Sequence, residues 1–394
     1  MKIKAFIMFM MFLMIVRFER CNGREGIIRP YWRKLKALSS SSSPSASDAT
    51  FNVLNYGAKG DGKADDTKLD GKIIAPTSSS AWGSGTLQWL EFTKLKQITI
   101  TGKGVIDGQG SVWWNDNSGM PSTKPTALRF YGSDGVTVKG ISIQNSQQCH
   151  LKFDSCTNVQ VSDITISSPG DSPNTDGIHL QNSNNVLIYG SNLACGDDCV
   201  SIQTGCSNIY VHDINCGPGH GISIGSLGKD NTKACVSNVT VRDITLQNTL
   251  TGVRIKTWQG GSGSVRDVMF SNIQVSGVET PILIDQYYCE QSKCKNASSA
   301  VAVSDIHYTN VKGTYTYEAV RLACSDSTPC RDITLDTIQL QQASDSKSSS
   351  SNGSFCWEAY GEVKTQTTPP IDCLQSRASN SKAASLDDSN KDSC

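Results

Sequence analysis

Residues Cys195 to Gly225 read CGDDCVSIQTGCSNIYVHDINCGPGHGISIG. Asp197 and Asp198 stand side by side between cysteines, and His220 follows between two glycines. Like charges held this close repel, so at least one carboxyl must hold its proton more tightly than it would in water. A protonated carboxyl beside an ionised one suits general acid–base hydrolysis, in which one group protonates a leaving oxygen and the other activates water.

Neighbouring stretches extend the constellation. Asp176 opens DGIHL, Asp198 opens DCVSI and His220 opens HGISI, in steps of about 22 residues; GVRIK follows from Gly252. When the four are aligned, Arg254 falls with His179, Ser201 and Ser223, and Lys256 falls with Gln181, Gln203 and Gly225. The apolar partners (Ile178 and Leu180, Val200 and Ile202, Ile222 and Ile224, Val253 and Ile255) have the opposite parity, so Arg254 and Lys256 face outward together. Taken singly, each piece has a plain reading: GDD and NTDG as turns, GHG as a loop, Arg-x-Lys as a solvated strand face. Four independent turns have no reason to gather their ionisable groups in one register. The shared patch would have three carboxylates and a histidine for proton transfer, and two cations for an acidic group on the substrate, with Arg254 binding through its planar fork.

The elements that would hold this patch are short strands. VTVKGISI from Val136, VQVSDITI from Val159, VLIYGSNL from Val186, IYVHDINC from Ile209, VTVRDITL from Val239, VMFSNIQV from Val268, VAVSDIHY from Val301 and ITLDTIQL from Ile333 alternate apolar and polar residues. ITITGKGV from Ile98 is an earlier member. Their period of roughly 23 to 38 residues lies in the solenoid range, and helix-forming segments are nearly absent. Several strands per repeat predict an all-β fold, a right-handed parallel β-helix whose coils stack about 4.8 Å apart. Asn158, Asn185, Asn208 and Asn238 recur just before the first strand, where Asn tolerates left-handed turn geometry and can bond along the coil axis.

Length and composition bound the rest. The chain has 394 residues with 36 basic and 36 acidic side chains, a balance that makes no case for nucleic acid or an anionic membrane. Met1-Lys2-Ile3-Lys4 followed by an apolar run to Val16 reads as a secretory leader over residues 1–23, too short to span a bilayer. Residues 24–50, serine-rich from Ser39 to Ser47, read as a linker; 51–373 as the β-helix; 374–394 as a disordered tail. Fifteen cysteines and the sequons at Asn238, Asn296 and Asn352 agree with a secreted, disulfide-bonded glycoprotein. Cys21 reads as the odd cysteine, lost with the leader.

Asn174-Thr175-Asp176, Gly196-Asp197-Asp198, Gly219-His220-Gly221 and Arg254-Ile255-Lys256, in that order, resemble the motifs of glycoside hydrolase family 28, the polygalacturonases, in plant-like phrasing from about Phe51 to about Cys373. The resemblance implies inverting hydrolysis of α-1,4-linked galacturonan in pectin, outside the cell. It implies Asp197 as general acid, Asp176 and Asp198 as activators of water, and His220 as support for the acid. It implies Arg254, Lys256 and Tyr288 at the substrate, Asn174 on sugar or holding the turn, and a Cys199–Cys216 disulfide bracing the acid pair. No cofactor or metal is called for, the partner is the polysaccharide, and a monomer is expected. In plant members a helix and the first strands follow the opening coil; here Lys68 joins Leu69 directly, so the N-terminal cap is read as truncated. Two alternatives remain: a β-eliminating lyase on the same fold, against which the acid pair and histidine argue, and a pectin-binding β-helix without activity. Trp113, Trp114 and Trp258 are candidates to stack on sugar rings or to pack the core.

Overall fold

The computed structural model describes residues 67–82, 86–115, 119–290, 297, 300–344, 352–376 and 394. The expected leader, linker and N-terminal cap, and Asn296, lie outside the described residues, as does the side chain of Asn352. From Thr67 onward the chain winds as a right-handed parallel β-helix. A 15-stranded sheet forms one side and a 10-stranded sheet, which carries the site, forms another. Every neighbouring pair along both sheets is parallel, as in Asp134–Lys139, Thr157–Ser162, Asn184–Ala194 and Cys206–Cys216 of the larger sheet.

Alternation explains why these segments coil rather than form a flat sheet. In each strand the branched residues of one parity enter a continuous core: Val136, Val159, Val186, Ile209, Val239 and Val268 stack coil on coil and are all essentially buried. Aromatic residues also stack in register, with Phe92 on Phe130 at 5.2 Å and Phe130 on Phe153 at 5.3 Å between ring centres. Corners fall where the backbone turns left-handed. Asn158, Asn185, Asn208 and Asn238 have φ of 54°, 56°, 54° and 53°. Their amides form the expected ladder: Asn185 donates to Asn158 at 3.2 Å, Asn208 to Asn185 at 3.0 Å and Asn238 to Asn208 at 2.6 Å. The Asn238 amide, also a sequon, is therefore already engaged.

One repeat was aligned in the wrong register. Val268 pairs with Ile306, not with Val301, so the true repeat unit begins at IHYTNVKG. Each coil has two left-handed corners, and Asp305 is the first corner of its coil while Asp243 is the second of its own. The same short polar residue serves both corners, and the alternation is alike on either side.

The cysteines also differ from the expectation of one unpaired residue. Cys149, Cys156, Cys195 and Cys206 are buried free thiols. Cys235 bonds Cys394, which anchors the end of the tail expected to be disordered. Trp113 is 2% exposed and meets Trp82 edge-to-face at 5.2 Å in a small second core, so it is not a sugar platform. Trp114 donates its Nε1 hydrogen to the Ser146 carbonyl.

A ladder asparagine combines a turn requirement with hydrogen bonds, and two substitutions separate them. Asn208→Ala is expected to lower stability by about 2 kcal/mol, having lost both the left-handed tolerance and the ladder bonds. Asn208→Gly keeps the turn and is expected to cost roughly half as much. Denaturant unfolding of the two variants checks the order.

Candidate active site

Four consecutive strands of the 10-stranded sheet build the site: Ile178–Gln181, Val200–Ile202, Ile222–Leu227 and Thr251–Trp258. Their register is His179↔Ser201↔Ser223↔Arg254. Asp176, Asp198 and His220 sit on the turns that enter the first three strands, as the alignment of the sequence requires. The turns are tied across coils. Gly196 N–H donates to Thr175 Oγ1 at 2.8 Å, and the His220 N–H donates to the Asp197 carbonyl at 2.7 Å. A Cβ on Gly196 would lie 1.9 Å from the Ser172 carbonyl oxygen, so only glycine allows the acid pair to approach the Asp176 turn. The Cys199–Cys216 disulfide, with 6.0 Å between Cα atoms, anchors the residue after Asp198 to the next wall.

The three carboxylates sit in different surroundings. Asp198 is buried and accepts from Ser223 Oγ at 2.6 Å, Arg254 Nη2 at 2.6 Å and Lys256 Nζ at 3.1 Å. Ser201 and Ser223 are small, and this lets Arg254 lie across the strands: its Nε also donates to Ser223 Oγ at 2.7 Å. Asp176 receives His179 Nδ1 on Oδ2 at 2.9 Å. Burial pushes the Asp176 carboxyl up; His179 pulls against it, and Asp197 and Asp198 add repulsion. Asp197 meets His220 Nδ1 at 2.9 Å on Oδ1, while its Oδ2 has, among the described residues, the Asn174 amide alone, at 3.4 Å. Burial opposes its charge, but His220, with Lys256 and Arg254 beyond, outweighs burial and holds the carboxyl below the usual range.

The cations differ from the expected free clamp. Arg254 and Lys256 are 5% and 7% exposed and already paired with Asp198. Burial works against the Arg254 charge, and Asp198 overrides it and raises the guanidinium further. Lys256 Nζ also lies 5.1 Å from the centre of the Tyr288 ring, whose hydroxyl burial pushes up to about 12. So Tyr288 does join the patch. Trp258, 8% exposed, packs edge-on to Tyr288 at 5.5 Å and serves as its wall.

Two neighbours were not singled out from the sequence. His179 aligned with Ser201 and Arg254, yet no charge partner was assigned to it. His150 is fully buried, its imidazole pushed down to about 4 by burial, and it bridges the Asp176 carbonyl and Ser168 Oγ at 2.8 and 2.7 Å. A carbonyl only accepts, so Nδ1 carries the proton and Nε2 accepts from Ser168. Nothing in Cys149-His150-Leu151 marks that bridge, because its partners come from the next coil.

Donor atoms of Asp197, Asp198 and His220 lie within 4.8 Å of one another. A divalent ion there would share Asp198 with two buried cations, so the donor set does not suit one.

A stacked-coil fold with paired carboxylates on its face, small residues beneath them and cations beside them defines a parallel β-helix with an acid–base site. The chain belongs to the family described as glycosyl hydrolases family 28, whose sequence model matches residues 43–357. A probable polygalacturonase of Arabidopsis thaliana is 38% identical over 376 residues, covering 82% of this chain and 84% of that protein. A polygalacturonase of Cryptomeria japonica is 40% identical over 352 residues, covering 75% and 67%. Among solved structures, the polygalacturonase of Erwinia carotovora superposes with a TM-score of 0.64 at 26% identity, covering 77% of this chain and 84% of that one.

Two substitutions of aspartate should move stability in opposite directions. Asp198→Asn leaves two buried cations without their counter-charge and is expected to cost about 3–5 kcal/mol. Asp176→Asn removes a charge that burial disfavours and is expected to raise the melting temperature at neutral pH. The sign follows from linkage: a carboxyl raised on folding binds its proton more tightly in the folded chain, so its contribution grows as pH falls through the folded pKa. That rise should vanish in Asp176→Asn; melting curves across the acidic range check both statements.

Proposed function

We propose that this chain is a secreted hydrolase of galacturonan that cleaves the α-1,4 links of pectin with inversion. The observation that carries the reading is the division of one patch into three carboxylates of different surroundings beside two buried cations and Tyr288. The names of the relatives support the substrate class. Every catalytic group comes from a single chain, so one molecule suffices. The basic, apolar start of the sequence and the disulfides favour an oxidising, extracellular setting, with the cell wall as the place of work.

In this reading Asp197 protonates the leaving oxygen through Oδ2, the less committed of its own two carboxylate oxygens. Asp176 and Asp198 hold and deprotonate the attacking water, and Asn174 steadies Asp197. Arg254, Lys256 and Tyr288 receive the carboxylate of the sugar. Asp197 is held low in the free chain, and the substrate reverses that. An anionic sugar on Lys256 and Arg254 weakens their pull, and its bulk displaces water; both effects raise the Asp197 carboxyl toward a protonated acid.

A second reading exchanges the roles, because Asp176 is the carboxyl that burial raises in the free chain. Leaving-group dependence separates them. Asp197→Asn is expected to release reducing ends from polygalacturonate about 10²–10⁴-fold more slowly than the parent. It should recover most of that loss on an aryl galacturonide whose phenol leaves without protonation. Recovery in Asp176→Asn instead would reverse the assignment, and near-normal turnover of Asp197→Asn on the polymer would remove Asp197 from the chemistry.

A further inference from the structure

The outward face of the site sheet continues past the catalytic coils. Arg254 is followed in register by Leu283, Arg321 and Phe355, and Lys256 by Asp285, Ala323 and Trp357. Trp357 and Phe355 are 50% and 37% exposed at the far end of these two columns. Three coil spacings separate Trp357 from Lys256, about 14 Å, and two separate Arg321 from Arg254, about 10 Å.

We propose that Trp357, Phe355 and Arg321 form a distal subsite for a uronic-acid residue of the same polysaccharide chain that occupies the catalytic patch. This rests on the galacturonan reading above.

The exposed aromatic residues are held in place. Trp357 Nε1 donates to Asp326 Oδ1 at 2.9 Å, and Tyr287 Oη donates to Asp326 Oδ2 at 2.9 Å. One carboxylate thus pins two aromatic rings by their edges and leaves the indole face to solvent. A ring fixed this way offers a flat apolar surface at little entropic cost, which suits the axial hydrogens of a pyranose. The Cys356–Cys373 disulfide anchors the same strand from its inward side.

The surroundings favour a sugar acid. Ala323 lies between Asp285 and Trp357 in the register and leaves a shallow trough along the column. Arg321 stacks over Phe355 at 4.6 Å, bonds Glu318 at 3.3 Å through Nη1, and has a side chain 43% exposed. Among the described residues its other guanidinium donors have no hydrogen-bond partner, and a carboxylate can take them. Asp285, next to Lys256 in register, is half-buried, and burial pushes its carboxyl up against the pull of Arg321 and Arg254, so it opposes an anionic chain less than its type suggests. Charged groups interrupt the apolar area on both sides, which fits a sugar chain continuous with the catalytic face better than a broad protein interface.

The test uses the full chain with Asp197→Asn to stop turnover, and calorimetric titration with trigalacturonate and heptagalacturonate. The heptamer is expected to bind more tightly than the trimer, and adding Trp357→Ala should remove about tenfold of that advantage. Trp357→Phe, which keeps a ring, should retain most of it. Arg321→Gln should weaken the heptamer and leave its fully methyl-esterified form unchanged. A heptamer advantage of equal size in Trp357→Ala overturns the distal subsite while leaving the substrate reading intact. Failure of both oligomers to bind the Asp197→Asn chain overturns the substrate reading and the subsite with it.

Discussion

Coil-to-coil register is the constraint on which this molecule depends. Each strand hydrogen-bonds its counterpart one turn of the solenoid away, so residues far apart in the chain become neighbours at a fixed spacing. His179, Ser201, Ser223 and Arg254 form a column for that reason alone. The core stacks by the same rule, with valine on valine and phenylalanine on phenylalanine. A slip of one residue in any coil would exchange the buried and outward faces and scatter the site. The asparagine corners and the close glycine contact at Gly196 guard against such a slip.

On this frame the buried cluster of Asp198, Arg254 and Lys256 determines the electrostatics. Two cations in a region of low dielectric need a counter-charge, and Asp198 supplies it. The pair then acts on its neighbours. It helps to hold Asp197 low, while Asp176, bonded to a histidine, is raised by burial. Two aspartates of the patch are thereby moved in opposite directions, Asp176 up and Asp197 down. A substrate carboxylate entering beside Lys256 changes this balance, so binding and acid strength are coupled.

The fold and the gathering of the ionisable residues on one face were legible in the sequence because both are periodic. Alternation marked the strands, and the common spacing of Asp176, Asp198 and His220 marked a shared face. Legibility failed where a feature depends on contacts between coils. His150 bridges to the backbone of the following coil, and no local pattern announces it. Parity places Arg254 and Lys256 on the outward face but cannot show that Asp198 holds them. The Val301 segment was misaligned because Asp serves at either of two corners of a coil. Trp113 was a candidate for sugar stacking, and the second small core, built with Ala75 and Trp82 from earlier in the chain, absorbed it.

The central claim is that the patch hydrolyses an α-linked uronic-acid chain by direct attack of water. Proton NMR of the products in the first minutes after mixing with trigalacturonate tests it most directly. Direct attack of water on an α-link inverts the anomeric carbon, so the new reducing end should appear first as the β-anomer and then mutarotate. An α-anomer formed first would mean a covalent intermediate, and an olefinic signal from an unsaturated sugar would mean β-elimination; either result contradicts the account.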